Sequence, residues 1–258
     1  MSTTAYDELT ALYTRLHRFG HLHSLASWDQ AANMPPKGNE ARAAALAEIG
    51  TLLHRMRTEP RLKSLIAQAE GESLDDAQRA NLREIRRDWR SSNALPESLV
   101  EKKTLAAARC EHAWRKQRPA NDWAGFLENF REVLRLGREE AQLLADESGL
   151  RPYDALLDRF EPGMTCAQLD RLFGDLRQWL PGLIERAQQR QAKDKLVEPV
   201  GPFPVAAQRA LSQDVMRLLD FDFEAGRLDE STHPFSGGVP EDVRLTTRYC
   251  EHDLLSSL

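Results

Sequence analysis

The chain has 258 residues, of which 41% are hydrophobic and 29% are charged, and its formal net charge is -5 at pH 7. This length and composition describe a globular chain with a sizeable core, which excludes intrinsic disorder. Acidic and basic residues are interspersed without a basic stripe, so the sequence disfavours nucleic-acid binding. No apolar run approaches the ~20 residues that span a bilayer, and no signal peptide is recognisable, so we expect no membrane association.

The three cysteines, Cys110, Cys166 and Cys250, are widely separated. They form no C-x-x-C pair, so we predict neither a disulfide framework nor a cysteine-built zinc site. This cysteine usage favours a cytoplasmic location. A catalytic thiol is the less favoured alternative to cysteines that only fill space or lie at the surface.

Apolar residues recur at spacings of three and four over most of the first 200 residues, which predicts a mainly α-helical fold. The first helix begins after a possible capping box of Thr4 and Asp7 and must end before Pro35. Without a shift in composition, we expect a single domain over residues 1–258. The further helices are predicted at 39 to before 60, about 62–69, about 97–117, after 121 to 148, 165 to beyond 184, and about 205–220. Between the third of all these helices and residue 97, Leu82, Ile85 and Trp89 mark one more helix, which ends near residue 93.

One stretch, residues 242–249, alternates with a period of two and predicts a β-strand. Asp242, Arg244 and Thr246 fall on one side of it. The plainer interpretation is an edge strand with one packed and one solvated face. The functional one is a cleft wall in which Asp242 and Arg244 orient each other or a ligand. Spacing alone leaves both open.

Two histidines, His17 and His21, are one helical turn apart, a spacing that places two imidazoles on one face to bind a metal. A hydrolytic zinc helix also needs a glutamate directly after the first histidine, and Arg18 occupies that position. We therefore interpret them as two exposed helix histidines, with a metal site as the alternative.

Two short motifs near the end of the chain occur in a fixed order. His233-Pro234-Phe235 forms an H-P-F tripeptide, and residues 242–246 (DVRLT) form a D-x-R-x-T motif, with FDFEAGRLDES directly before them. With these motifs the chain strongly resembles the carboxypeptidase Taq family of zinc metallocarboxypeptidases. The stretches at 26–43 (ASWDQAANMPPKGNEARA) and 153–165 (YDALLDRFEPGMT) resemble the same family.

The resemblance implies a multi-helix metallopeptidase-type fold with a small antiparallel β element near residues 242–249. Family members remove C-terminal amino acids from peptides, are usually homodimers, and bind zinc through an H-E-x-x-H helix and a later glutamate. The imidazoles and the carboxylate suit hydrolysis, because they hold zinc and activate its bound water.

No H-E-x-x-H sequence occurs among the 258 residues. We therefore expect a single, incomplete helical domain, the N-terminal portion of such an enzyme. We expect it to contain no catalytic residue and no metal ligand, to bind no zinc or other divalent metal, and to be inactive alone. The resemblance implies that His233, Asp242, Arg244 and Thr246 bind peptide substrate. The alternative is a non-catalytic helical module, derived from the family, that binds peptides or a partner chain.

Overall fold

The fold was analysed in a computed structural model, which describes residues 3–195 and 199–255. These residues form a mainly helical protein with one small sheet, which confirms the predicted fold class. A short 3-10 helix at Pro36–Gly38 joins the first two α-helices. In chain order the elements are α1 (Ala5–Ala32), α2 (Asn39–Arg57), α3 (Arg61–Ala69), α4 (Asp76–Asn93), α5 (Glu97–Gln117), α6 (Trp123–Ser148), α7 (Pro152–Leu157), α8 (Cys166–Gln191), α9 (Val205–Leu218), β1 (Gly226–Glu230), β2 (Ser236–Val239) and β3 (Asp242–Thr247).

Local signals set most helix ends. Thr4 and Asp7 form the predicted capping box, in which each side chain accepts a hydrogen bond from the other residue's backbone N–H. Gly149 ends α6 in the left-handed conformation, with φ of 74°, which glycine adopts without steric cost. The start of α6 differs from the prediction by one residue, because the Asp122 carboxylate, not Asn121, accepts a hydrogen bond from the N–H of Gly125.

The largest core cluster lies where α1 crosses α3 and α4. Leu9 and Leu62 are fully buried there, and Ile85 is 2% exposed. The other helices continue this layer, because α1 packs on α2, α2 on α5, α5 on α6 and α6 on α7. The framework therefore holds α1 and α5 in place beside the sheet.

The helix α8 differs from the others because none of its described side chains is buried. It nevertheless carries large apolar side chains at helical spacing, each about half exposed. We call this set the α8 stripe: Leu172, Phe173, Trp179, Leu183 and Ile184. No described helix is long and apolar enough to cross a membrane.

The three strands form one mixed sheet in the order β1-β3-β2. The strand β3 pairs antiparallel with β2 and parallel with β1, with Arg227 of β1 opposite Arg244. The predicted strand is confirmed for residues 242–247, whereas Arg248 and Tyr249 lie beyond its end. The interpretation of this segment as an edge strand is therefore wrong, because β3 is the central strand and pairs on both sides.

Candidate functional site

A cleft of about 460 Å³ opens where α1, α5 and the sheet meet. The helix α1 contributes Trp28 and His23, and α5 contributes Trp114. The opposite wall is formed by the segment 231–238 and by Arg244 of β3. Apolar indole walls with a few polar groups between them are typical of ligand sites. The cleft thus brings His233 and Arg244, two of the four predicted substrate-binding residues, onto one surface.

Arg244 is held from two directions. Its guanidinium pairs with Oδ1 of Asp242, and its Cζ lies 4.8 Å from the centre of the Trp28 ring. Its Nε is buried and has no hydrogen-bond partner among the described residues. The side chain is still 20% exposed, so Arg244 reaches the cleft while its charge is balanced.

A second arginine shares the same indole. Arg227 of β1 lies with its Cζ 5.2 Å from the centre of the Trp28 ring. It donates two hydrogen bonds to Asp229, at 2.7 and 2.6 Å. Arg227 and Arg244 are opposite each other across the parallel strand pair, and each pairs with an aspartate two residues away on its own strand. The period of two therefore places each carboxylate on the same face as its arginine.

Asp242 is not among the described residues that line the cleft, and it joins the sheet to α1. Its Oδ2 accepts a hydrogen bond from Nε2 of His21 at 3.0 Å, with the two side chains only 31% and 19% exposed. The interpretation of two exposed helix histidines is therefore wrong for His21, because a carboxylate distant in sequence covers it. His17 is exposed, as predicted.

Thr246 is buried below the cleft and secures the H-P-F segment. Its Oγ1 accepts hydrogen bonds from the N–H of Phe235 at 2.8 Å and from the hydroxyl of Ser231 at 2.9 Å. It also donates to the Phe235 carbonyl at 3.0 Å. The Thr246 hydroxyl thus supports the segment that forms the cleft wall and is not among the described residues that line the cleft. Its role in substrate binding stays a prediction.

His233 is exposed on the opposite side of the cleft from Trp28. Its ring lies edge-on to Trp114, with centroids 6.3 Å apart and planes at 82°. Its carbonyl lies 2.9 Å from Ser231 Oγ and shares the single hydroxyl proton of Ser231 with Thr246 Oγ1. Because Pro234 restricts the His233 backbone to extended conformations, this hydrogen bond and the ring contact fix where the imidazole enters the cleft.

The charges around the cleft are arranged in pairs. Arg115 on the α5 wall donates to Glu111 at 2.8 Å and to the carbonyl of Gln30 at 3.2 Å. On the α1 wall, burial lowers the pKa of His23, and the positive charge of Arg57 lowers it further. His23 therefore presents a neutral imidazole to the cleft at neutral pH.

A larger groove of about 1260 Å³ lies among α2, α4, α5 and α6, but its chemistry is that of a structural ion-pair network. Glu140 is buried there between Arg159, at 2.6 Å, and Lys103. Arg87 pairs with Glu84 at 2.9 Å. Since these charges neutralise each other, we place the candidate site in the smaller cleft.

Sequence reasoning missed three residues of the site: Trp28, Trp114 and His21. The tryptophans follow the helical spacing of core residues, so their pattern predicts only burial. The spacing of His17 and His21 was interpreted as two exposed histidines, with a metal site as the alternative, whereas in the structure His21 forms a hydrogen bond with Asp242.

A model of the carboxypeptidase Taq (M32) metallopeptidase family matches residues 8–258. The chain belongs to this family. The resemblance carried by the H-P-F and D-x-R-x-T motifs is thereby confirmed. Among curated relatives, thermostable carboxypeptidase 1 of Thermus thermophilus is 36% identical, and the match covers 96% of this chain and 51% of that protein. The protein of the same name from Pyrococcus furiosus is 29% identical over 252 residues, covering 95% of this chain and 50% of that one.

Solved structures with related sequences have the same fold. Metallocarboxypeptidase 1 of Trypanosoma cruzi matches with a TM-score of 0.84 at 46% identity, over 100% of this chain and 52% of that one. The M32 carboxypeptidase of Deinococcus radiodurans R1 matches with a TM-score of 0.78 at 27% identity, over 98% of this chain and 51% of its own. The chain therefore spans about half the length of the carboxypeptidase Taq relatives that it matches.

Metallopeptidases of the carboxypeptidase Taq family carry a metal in the intact enzyme. Within residues 3–195 and 199–255, no group of three or more His, Cys, Asp or Glu side chains is arranged to hold a metal ion. His21 and Asp242 form a hydrogen bond with each other, and the second oxygen of Asp242 pairs with Arg244. The described residues therefore do not present a ligand set that fits a metal centre.

Proposed function

We propose that this chain supplies one wall of the peptide-binding cleft of a zinc-dependent metallocarboxypeptidase that removes C-terminal amino acids. One observation carries the proposal: in a chain of the carboxypeptidase Taq family, the H-P-F and D-x-R-x-T segments meet α1 and α5 at one cleft. Residues 1–258 would then form one portion of a larger helical domain. The proposal includes that the intact enzyme binds zinc, forms a homodimer and is located in the cytoplasm.

The chemistry of the cleft suits an extended peptide. Trp28 and Trp114 provide apolar walls for side chains, and the Arg244 guanidinium is a donor for a peptide oxygen. The strand β2 lies at an edge of the sheet, and its Gly237 and Gly238 line the cleft. Glycines let another backbone approach closely, and an edge strand offers main-chain hydrogen bonds to an added strand.

The four residues drawn from the family motifs then act in two pairs. His233 and Arg244 contact the peptide directly, because both line the cleft. Asp242 and Thr246 support them, because Asp242 pairs with Arg244 and Thr246 bonds the backbone of Phe235. No residue of this chain is assigned to the hydrolytic step, which needs the H-E-x-x-H segment that the sequence lacks.

The catalytic part of the proposal is tested on the purified 258-residue chain. We expect no stoichiometric zinc after dialysis and no release of phenylalanine from N-acetyl-Ala-Ala-Ala-Phe. About one zinc per chain together with hydrolysis would show a metal centre built from these residues and would overturn this part.

The binding part is tested by titrating the same peptide into the ¹⁵N-labelled chain. We expect the indole N–H signals of Trp28 and Trp114 to shift, and Arg244→Ala to weaken binding about 5- to 50-fold. The control is Arg248→Ala, which removes an exposed arginine just beyond β3. Shifts confined to residues outside the cleft, or equal binding by both variants, would remove the cleft from the proposal.

The non-catalytic module remains a second candidate, favoured by one observation. The residues that line the cleft all belong to this chain, so a peptide can be bound there without the hydrolytic segment. One measurement distinguishes the non-catalytic module from a wall of the catalytic cleft. Adding the remaining half of Thermus thermophilus thermostable carboxypeptidase 1 as a separate polypeptide should yield zinc-dependent peptidase activity only if the cleft is a catalytic wall.

A further inference from the structure

The hydrogen bond between His21 and Asp242 connects α1 to the central strand of the sheet. Its 3.0 Å length joins two half-buried side chains that are 221 residues apart in the sequence. A carboxylate only accepts hydrogen bonds, so Nε2 of His21 carries the proton and donates it. The other nitrogen, Nδ1, is buried and has no hydrogen-bond partner among the described residues. His21 therefore directs its one described hydrogen bond at Asp242.

The Asp242 carboxylate is used at both oxygens. Oδ2 accepts from His21, and Oδ1 accepts from the guanidinium of Arg244. A carboxylate with one partner rotates easily about its terminal torsion, which has broad and roughly two-fold minima. A second donor on the other oxygen removes that freedom. The plane of the carboxylate, and with it the direction of the arginine it pairs with, is then fixed.

The helix α1 contacts the same arginine a second time through Trp28. His21 and Trp28 are two turns apart on α1 and thus lie on the same face. Trp28 lies under the guanidinium, at 4.8 Å, while His21 acts on the carboxylate beside it. Of these groups Arg244 and Trp28 line the cleft, and His21 does not.

We propose that His21 is a positioning residue, which fixes the Arg244 guanidinium in the cleft through Asp242. The inference rests on the proposed function only in so far as Arg244 binds substrate. A fixed guanidinium binds a peptide oxygen without first losing side-chain freedom, so loss of His21 weakens binding although His21 does not touch the peptide.

Two amide variants separate this role from a merely structural one. The side-chain nitrogen of His21→Gln extends as far as Nε2 and keeps a donor for Asp242, whereas that of His21→Asn is too short. The control is His17→Asn, one turn earlier and exposed. The first readout is the Nε–Hε signal of Arg244 in the ligand-free ¹⁵N-labelled chain, assigned by its absence in Arg244→Lys. The second is the affinity for N-acetyl-Ala-Ala-Ala-Phe.

We expect His21→Asn to shift or broaden the Arg244 signal and to weaken peptide binding about 5- to 20-fold. His21→Gln should restore both readouts most of the way, and His17→Asn should leave both unchanged. An unmoved Arg244 signal in folded His21→Asn overturns the proposal, even if the thermal midpoint falls. If His21→Asn does not fold, His21→Met replaces it, since it removes the donor to Asp242 and leaves the partners of Arg244 in place, and the same two outcomes decide. A shifted signal in a chain that binds no peptide supports the positioning role and overturns the proposed function instead.

Discussion

The guanidinium carbon of Arg244 lies 4.8 Å from the centre of the Trp28 indole ring. Arg244 belongs to β3 and Trp28 to α1, so this contact joins the sheet to the first helix at the cleft. A guanidinium over an indole face contributes about 0.5–2 kcal/mol, depending on how far water is excluded. The contact therefore makes Arg244 a structural residue as well as a cleft residue.

We expect Arg244→Ala to lower the free energy of unfolding by about 1–3 kcal/mol, because it removes both the indole contact and the ion pair with Asp242. The matched change is Arg227→Ala, which removes a guanidinium from the same ring but leaves Arg244 in place. Arg227 has a 53% exposed side chain, so its loss should cost less, about 0–1 kcal/mol. Urea denaturation of both variants checks this, and equal losses would contradict it.

Replacing Thr246 with valine should destabilise the sheet although the shapes are nearly the same. The change leaves the Phe235 N–H without its buried acceptor, which costs about 1–3 kcal/mol. Thr232→Val, at an exposed position on the adjacent loop, serves as the control. Thermal unfolding measures the difference, and hydrogen exchange should show the faster opening at Phe235. Unchanged protection there would show that the hydroxyl does not hold the H-P-F segment.

The stability of the chain should fall in mild acid because of two histidines. Burial lowers the pKa of His23 and His54 in the folded state. The positive charge of Arg57 lowers both further, while for His54 the Glu97 carboxylate and a backbone hydrogen bond at Leu95 oppose the shift without reversing it. The unfolded chain then binds protons more readily than the folded one below about pH 6.5. The contribution of the two neutral histidines to the free energy of unfolding is thus complete above that pH. It is lost as the pH falls through their pKa values in the folded state.

Urea denaturation at pH 7.5, 6.0 and 5.0 measures this loss. The double variant His23→Gln/His54→Gln should lose less stability between pH 7.5 and 5.0 than the unsubstituted chain. The exposed pair His17→Gln/His252→Gln should follow the unsubstituted chain. Parallel slopes for all three proteins would assign the pH dependence to other groups.

The α8 stripe should make the isolated 258-residue chain self-associate. Its five large apolar side chains are 44–53% exposed on one helix, and contiguous apolar surface of this kind favours association. Replacing Phe173 and Ile184 with serine should shift sedimentation toward the monomer. Phe160→Ser, which removes an apolar side chain that is 82% exposed outside α8, should not. An unsubstituted chain that sediments as a monomer at high concentration would refute this prediction.

The helices were predictable from the sequence because their determinants are local. The Thr4–Asp7 box, the prolines between helices and the glycine at 149 act within a turn of the chain, and each marks the end found in the structure. The exception is α7, whose six residues are too few to show a helical period. Pro152, at its first turn, was the available signal.

The strands β1 and β2 were not predicted, because their stability comes from β3 and not from their own residues. The strand β2 (SGGV) contains two glycines, which have low intrinsic preference for strands. The strand β1 (GRLDE) has Leu228 as its one large apolar residue, which is too few to show a period. Only β3 has the pattern of a half-buried strand, and its parallel partner could not be inferred from spacing.

The site was predictable to the extent that it lies in short motifs. His233 and Arg244 were found because the family motifs contain them, and both line the cleft. His21 and Trp28 were missed, since their partners are more than 200 residues away in the sequence. A helical period identifies which side chains are buried, but it does not identify which strand they contact.

The central strand of the sheet, β3, is the last of the three strands in the sequence. The sheet can therefore form only after the ribosome has completed β3. The strands β1 and β2 are not neighbours and pair only through β3. At the ~5–20 residues per second of synthesis, roughly 5 to 20 s pass between the completion of α7 and that of β3. During that interval the helical layer can fold. The glycine-rich β2 segment has no strand to pair with, and the face of α1 that bears Trp28 stays uncovered. A nascent chain stalled before residue 242 would thus have the helical framework but no cleft. In that state the face of α1 that bears Trp28 is uncovered, and a chaperone could bind it.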